Sequence, residues 1–428
     1  MTSTDPSSLM KTYTKKLEAM HDAIDAQAIG ILKRLKEAGF QAYLVGGGVR
    51  DLLVGMKPKD FDIATDALPN VVKKKVPYCF IIGRRFKLVH ARRGDQIYEI
   101  ATFRRAASAE ELQSASSAED DTKFVEENFF GNIEEDSWRR DFTVNALFYD
   151  PIDKKIVDYC GGLEDVKNHT LRMIGDPVAR LKEDPVRILR AIRLSQKINF
   201  SIAPDLRQAI LELKTELVRA VLPRRREEWL KFLRLPQADL ALMELFDLGV
   251  FEIVLPSLHA LFSDEIKREE FLCYVRQFHH IGIDFSEPTE LFSAFLYSYL
   301  MVTQPTNLDL HSLEGDEKFL LFCRDELGVF KAEVAIFIKS LQFINILKKI
   351  ESYKQKGDRR KAAVLNNHAF ELSLKLGFLS YQLTASEFLF WLNEKEGFNN
   401  KPPTVQSHSS ETETDTEEIS ETEPRLNS

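Results

Sequence analysis

The sequence predicts an α+β fold in which strands occupy the first 175 residues and helices almost everything after them. Two observations carry this. Short β-favouring runs such as Ala42–Val45 and Ile97–Phe103 recur between glycines and polar turns up to Gly175. Beyond Gly175 apolar residues recur at helical spacing and strand signals become few. A length of 428 residues is enough for about three domains, so a strand-bearing head and a helical remainder both have room for a core.

Residues 1–22 read as a loosely ordered arm with a basic segment from Lys11 to Lys16. A helix is expected from Asp25, its N-cap, through Ile29, Ile31, Leu32 and Leu35 to Gly39 just past the end. Ala42–Val45 is a short buried strand that stops at Gly46-Gly47-Gly48. A second strand holds Asp60-Phe61-Asp62-Ile63, and Pro69–Lys75 reads as a short helix. Phe80–His90 gives two apolar strands about the basic turn Arg84-Arg85. Ile97–Phe103 alternates so that Glu99 shares a face with Ile97 and Ala101. The polar segment 106–127 reads as a loop, and Ile156–Tyr159 as a strand.

In the helical part, Asp184 reads as an N-cap with Pro185 at the first helical position. Residues 205–235 continue helical, including the basic turn Pro223-Arg224-Arg225-Arg226. The stretch 238–393 is Phe-rich and shows no catalytic spacing. His279-His280 reads as solvated or packed, since no third ligand stands near it. The Ser/Thr/Glu-rich segment 401–428 is expected to be disordered. The expected domains are therefore an arm (1–22), a head (23–175), a neck (176–237), a body (238–400) and an acidic tail (401–428).

Composition narrows the setting. No run of about eighteen apolar residues occurs, which argues against a membrane span, and Met1–Ser8 is too polar for a secretory signal. Cys79, Cys160, Cys273 and Cys323 lie far apart without metal-binding spacing, as expected of reduced thiols in a cytoplasmic protein. The net charge of −8 is misleading as a guide to nucleic-acid binding. Seven acidic residues in the tail stand against Lys401 and Arg425, net −5, which leaves −3 for the rest. Clustered arginines, not the sum, decide affinity for nucleic acid.

The chemistry concentrates between Val45 and Asp62. Glycines after a strand let the backbone approach a ligand, and Arg50 follows them as a candidate phosphate partner, able to grip with two parallel hydrogen bonds. Asp60 and Asp62 project from one strand face, an arrangement suited to one or two Mg²⁺ ions held together with substrate phosphates. Either motif alone is common in turns and on surfaces. Together, within some eighteen residues, they are far more specific.

The order Leu44-Val45-Gly46-Gly47-Gly48-Val49-Arg50-Asp51 then Asp60-Phe61-Asp62 resembles class II nucleotidyltransferases of the DNA-polymerase-β-like superfamily, the bacterial poly(A) polymerases and CCA-adding enzymes. The resemblance is dense from about Asp25 to Leu233. It implies a nucleotidyltransferase head with a small mixed sheet, followed by helical neck and body. Arg139-Arg140-Asp141 is similar to the family's Arg-Arg-Asp motif, which implies that Arg140 and Asp141 contact the nucleotide's sugar and triphosphate. Glu183-Asp184-x-x-Arg187 is similar to the base-selecting motif. A carboxylate accepting from adenine's amino group and a guanidinium donating to its ring nitrogen would read ATP, with Arg190 one turn further along. In isolation a capping Asp and a solvated Arg would be the plainer reading, but 43 residues after Arg-Arg-Asp, within a matching series, the base-selecting one prevails. The choice between Glu99 and Asp141 as third catalytic carboxylate stays open.

Ile81-Ile82-Gly83-Arg84-Arg85-Phe86-Lys87-Leu88-Val89-His90 resembles a signature of the poly(A) polymerases within class II. The expectation is therefore template-independent addition of AMP from ATP to RNA 3′-ends, with pyrophosphate released and two Mg²⁺ at Asp60 and Asp62. CCA addition to tRNA is the alternative, and an inactive RNA-binding scaffold a weaker third. Arg84, Arg85, Arg139 and Arg224 to Arg226 are candidate RNA or phosphate contacts, with surface solvation an equal contender for each. Neither a membrane nor DNA is an expected partner, and oligomeric state is open. The acidic tail departs from the basic tail common among these polymerases and would repel RNA.

Overall fold

Short strands with one buried side build the sheet from which everything else is hung. The computed structural model describes residues 6–19, 21–83, 87–105, 129–304 and 313–400. The Arg84-Arg85 turn, the polar segment 106–127 and the tail 401–428 lie outside them. Strands β1 (Ala42–Val45), β2 (Asp62–Thr65), β3 (Cys79–Ile82), β4 (Leu88–Arg93), β5 (Gln96–Thr102), β6 (Leu147–Asp150) and β7 (Lys155–Asp158) join in the order β3-β4-β5-β2-β1-β6-β7. Only β2 and β5 run parallel, so the sheet is mixed.

One face of the sheet is covered. Leu44, Ile63, Val89 and Ile100 are buried there in the same core as Ile31, Leu32 and Leu35 of helix Ala26–Glu37. That helix begins as read, with the Asp25 carboxylate accepting from the Gln27 N–H at 2.7 Å. The other face is covered only in part. Val45, Ala64, Phe103 and Phe148 form a small cluster over the β6 side, while Phe80, Ile82 and Ile97 on the β3–β5 side remain exposed.

Two readings are corrected here. The arm is not loose: Pro6–Ala19 is a helix, and a 3-10 turn His21–Ala23 follows it. Met10, Tyr13 and the fully buried Leu17 lie at helical spacing and pack on the head, and Lys16 donates to the Leu53 carbonyl at 2.6 Å. Lysine and threonine on the outer side hide that stripe in the sequence. Strand β6 was not anticipated, because Leu147-Phe148-Tyr149 is buried on both faces and shows no alternation.

After β7 the chain is helical, apart from the parallel pair β8 (Thr170–Leu171) and β9 (Ser201–Ile202). The central neck helix is Val186–Ile198, one residue later than expected. Asp184 precedes a proline and is therefore extended (φ −142°, ψ 94°), although its carboxylate still accepts from the Val186 N–H at 3.3 Å. The basic turn at Arg224 lies within a helix, as read, and forms the first turn of Leu222–Leu233. Ile188, Leu189 and Ile192 bury one side of the neck helix and leave Arg190, Arg193 and Lys197 on the other.

The phenylalanines of the body are packing. Phe251, Phe262, Phe271 and Phe295 meet edge to face in series, with ring centroids 5.0, 5.9 and 5.2 Å apart. His279 stacks on Phe285 at 4.2 Å. Among the described residues, no helix is long and apolar enough to cross a membrane.

Candidate active site

The glycine turn and β2 meet because β1 and β2 pair antiparallel, Val45 opposite Asp62. Gly46 has φ +73°, a conformation that side chains resist, and a Cβ there would stand 3.7 Å from Asp62 Oδ2 and 3.6 Å from Arg140 Nη1. Gly48 is tighter still. A Cβ on it would lie 2.9 Å from the Asp60 carbonyl and 3.3 Å from the Phe61 ring. Asp60 does not share a strand with Asp62, as the alternation suggested, but lies in the segment leading into β2, so replacing Gly48 with Ala is expected to push the turn off that segment and off Asp62. A lowered thermal midpoint, from a strain of about 1–3 kcal/mol, together with loss of the activity of the cleft is the predicted result in parallel melting and activity assays.

An open cleft of about 450 Å³ lies between this turn and the neck helix. Gly47, Gly48, Arg50, Asp60, Asp62, Asp141 and Arg190, all singled out in the sequence, line it. Arg140 stands just behind, close to Asp62. Asp184, Arg187, Arg224 and Arg225 are not among the lining residues, and Arg84 and Arg85 lie outside the described residues.

The carboxylates crowd one another. Asp62 faces a concave surface, open to water yet ringed by protein. Desolvation, then the charges of Glu99 and Asp60, raise its pKa to about 6 against the opposing pull of Arg140. Glu99 is its neighbour across the β2–β5 pairing and is not part of the cleft lining. His90 Nε2 lies 3.5 Å from Glu99. Among the described residues, no three His, Cys, Asp or Glu side chains converge closely enough to cage one ion. The donor set nonetheless fits a hard divalent cation completed by substrate phosphates. The Glu99 and Asp60 charges press on Asp62 more than Arg140 relieves it, and a dication held by Asp60 and Asp62 would remove that repulsion.

Arg50 is placed differently from a free phosphate clamp. It is buried, donating from Nε (2.9 Å) and Nη2 (2.5 Å) to Asp51 Oδ1 and from Nη1 to Asn145 Oδ1 at 2.6 Å. Lys197 Nζ reaches Asp51 Oδ2 at 2.8 Å, which ties the turn to the neck. Asp141, also buried, faces Arg190 Nη2 at 2.8 Å, but the pair is poorly aligned and Asp141 Oδ2 has no directed hydrogen bond.

Asp136 anchors the loop before it. Its carboxylate accepts from Arg104 N (3.0 Å), Arg139 Nε (2.9 Å) and Arg140 Nη2 (2.8 Å). Arg180 Nη2 then holds the carbonyls of Arg139 and Arg140 at 2.8 and 2.9 Å. Burial, then the Arg187 charge, lowers the Arg180 pKa from its usual value.

The base-reading candidates are engaged within the chain. Asp184 takes both terminal nitrogens of Arg224, at 2.9 and 2.7 Å. Arg187 Nη1 donates to Glu183 at 2.7 Å and to the Arg180 carbonyl at 2.8 Å. Arg226, grouped with Arg224 in the sequence, is buried against Glu333 at 2.6 Å and between the rings of Phe292 and Phe330. That removes it from the surface arginines.

The sequence reading missed Lys59, Asn145, Arg193, Lys197 and Lys231 in the cleft wall. Arg193 and Lys197 were findable, because they continue the stripe of Arg190 at i+3 and i+7. Asn145 and Lys231 arrive through tertiary packing and carry no local signal.

Two family models match parts of this chain. Residues 42–172 match the family described as "Poly A polymerase head domain". Residues 199–262 match "Probable RNA and SrmB- binding site of polymerase A". Poly(A) polymerase I of Salmonella typhi is 41% identical over 242 residues, 56% of this chain and 52% of that protein. Poly(A) polymerase I of Haemophilus influenzae is 37% identical over 316 residues, 69% of each chain. The chain thus spans about half the length of the Salmonella relative. The solved CCA-adding enzyme of Thermotoga maritima complexed with tRNA has the same fold, with TM-score 0.53 at 21% identity over 93% of this chain and 86% of that one. With a relative matched across more than two thirds of its length, the chain belongs to the poly(A) polymerase family, class II nucleotidyltransferases related to the CCA-adding enzymes.

Proposed function

We propose that the chain is a template-independent poly(A) polymerase, transferring AMP from ATP to the 3′-end of RNA and releasing pyrophosphate. The observation that carries this reading is the pairing of Asp60 and Asp62 with the Gly47-Gly48 turn in one cleft walled by the cations of the neck. Two Mg²⁺ ions on Asp60 and Asp62, when bound, would neutralise the triphosphate and lower the pKa of the 3′-hydroxyl. The glycines allow the triphosphate close to the backbone, and Arg190, Arg193, Lys197 and Lys59 offset its charge from the cleft walls. Arg50 acts from beneath by fixing Asp51 and Asn145.

In this reading Glu99 is the third carboxylate. What supports this is its position beside Asp62 across the β2–β5 pairing and outside the cleft that would take the triphosphate, which leaves it available to an attacking hydroxyl. The 3′-oxygen bonds to the α-phosphorus, the bond to pyrophosphate breaks, and the hydroxyl proton passes to Glu99. Asp141, whose buried Oδ2 lacks a hydrogen-bond donor, orients the nucleotide's ribose. Adenine is read by Asp184 and Arg187 once they exchange Arg224 and Glu183 for the base edge. Arg187 lies one turn before Arg190 on the same stripe of the helix. The functional units are the head (23–175), the neck (176–237) and a body (238–400) that holds RNA, with Arg224 and Arg225 as contacts for its phosphates.

Incubation with an RNA primer and each nucleoside triphosphate separately tests this. ATP alone is expected to give long, heterogeneous extensions. Incorporation of CTP that arrests after two additions, with a single A added once ATP is supplied as well, would replace this reading with CCA addition.

A further inference from the structure

Among the described residues, nothing covers the outer face of β3–β5, and the triphosphate cleft does not use this surface. Pairing aligns Phe80 of β3 with His90 of β4, and His90 with Glu99 of β5, in one cross-strand row. Asp62 continues the row, since Ile63 pairs with Ile100. At the outer end of this row stand large residues that the fold leaves in water. Tyr78 is 78% exposed, Phe80 60% and Ile97 56%. A flat apolar edge strand is a liability that proteins ordinarily blunt. Here arginines accompany it. Tyr78, Phe80, Arg92, Arg93 and Gly94 line a shallow groove of about 390 Å³. Arg92 is steadied by Nε on the Gly94 carbonyl (3.1 Å) and Arg93 by Nη1 on the Pro77 carbonyl (2.8 Å).

Aromatic rings beside arginines are the means by which proteins hold single-stranded nucleic acid, bases stacked on rings and phosphates on guanidinium groups. The surface is also continuous with the chemistry. From Phe80 to Asp62 there are three strand spacings, about 14 Å, room for about four stacked nucleotides. Glu99 lies on that path.

We infer that the exposed face of β3–β5, with Tyr78, Phe80, Arg92 and Ile97, is the track that holds the single-stranded RNA immediately upstream of the 3′-end and delivers its hydroxyl to Glu99. This rests on the nucleotidyl-transfer reading above and names where its RNA substrate lies. It also makes the β3–β5 face a primer site separate from the 199–262 segment.

The test uses the full chain and short oligo(A) primers carrying 4-thiouridine at single positions within four nucleotides of the 3′-end. Photocrosslinks are expected at Tyr78, Phe80, Arg92 or Ile97. Crosslinks confined to residues 199–262 would overturn the track. In steady-state kinetics, Phe80→Ala is expected to raise the KM for oligo(A) on the order of tenfold, leaving the kcat at saturating primer and the KM for ATP unchanged. Phe80→Trp should restore the primer KM. An unchanged KM in Phe80→Ala overturns the proposal. Phe80 is exposed on an edge strand, so its truncation removes little packing, and melting checks this. If the parent protein adds no nucleotide to RNA, the functional reading fails by itself. The track is then decided by fluorescence anisotropy with labelled oligo(A), where equal binding by parent and Phe80→Ala would refute it.

Discussion

Asp62→Asn is expected to lower AMP incorporation by about a thousandfold while the folded protein melts no lower than the parent. The magnitude follows from the several kcal/mol of charge stabilisation that a carboxylate-held cation gives a phosphoryl-transfer transition state, at 1.36 kcal/mol per factor of ten. The unchanged stability follows from the crowding. Desolvation, Glu99 and Asp60 raise the Asp62 pKa to about 6, so its ionised form is held at a cost in the folded state. Between the ordinary carboxylate range and pH 6 the folded protein binds more protons here than the unfolded chain. Stability at this position therefore declines as pH rises through that window. Asparagine removes the term. Cation binding should show the opposite dependence, weakening as pH falls through about 6 because protons compete for the same oxygens. Titration calorimetry with Mg²⁺ and ATP at pH 5.5 and 7.5 reads this directly. A lower melting midpoint in Asp62→Asn would mean that the carboxylate is structural.

Asp136→Ala is expected to cost about 3–5 kcal/mol of stability, because it leaves two guanidinium groups beside a vacated buried site. Asp136 is 2% exposed and accepts hydrogen bonds from Arg139, Arg140 and the Arg104 N–H. Burial acts to raise its pKa, but Arg140 and Arg139 outweigh burial and hold it below the usual carboxylate value. The sign is that of a depressed acid. Its stabilisation is complete above the unfolded-state pKa and is lost as pH falls through the folded-state value. Urea denaturation of parent and Asp136→Ala at neutral pH gives the difference, and at low pH that difference should shrink. Activity should fall as well, since Arg140 loses its anchor beside Asp62. A change below 1 kcal/mol would show that the surrounding arginines resolvate freely.

Much of this architecture was legible in the residues. Asp25 before an apolar 3.6-residue stripe and the glycines after Ala42–Val45 are local signals, and local physics produced what they announce, whereas the alternation around Asp60-Phe61-Asp62 over-reached: β2 starts only at Asp62, with Asp60 and Phe61 in the segment leading into it. Three features were not legible, each for a physical reason. Buried on both faces, β6 loses the alternation by which strands are recognised. The helix Pro6–Ala19 shows only a sparse stripe, and contact with the head completes it. In the site, Arg50 looks from its position like an anion clamp, yet Asn145, which holds it from beneath, lies 95 residues away in sequence. Glu99 and Asp141 could not be ranked by spacing, because their difference is one of side. Glu99 adjoins Asp62 across the sheet and Asp141 faces Arg190 across the cleft.

The most direct test is a crystal of the protein grown with a non-hydrolysable ATP analogue and Mn²⁺, examined for anomalous signal. Manganese bonded to oxygens of both Asp60 and Asp62, with the triphosphate along Gly47 and Gly48, is the predicted result. Metal seated away from those two carboxylates while the nucleotide is bound would contradict the account.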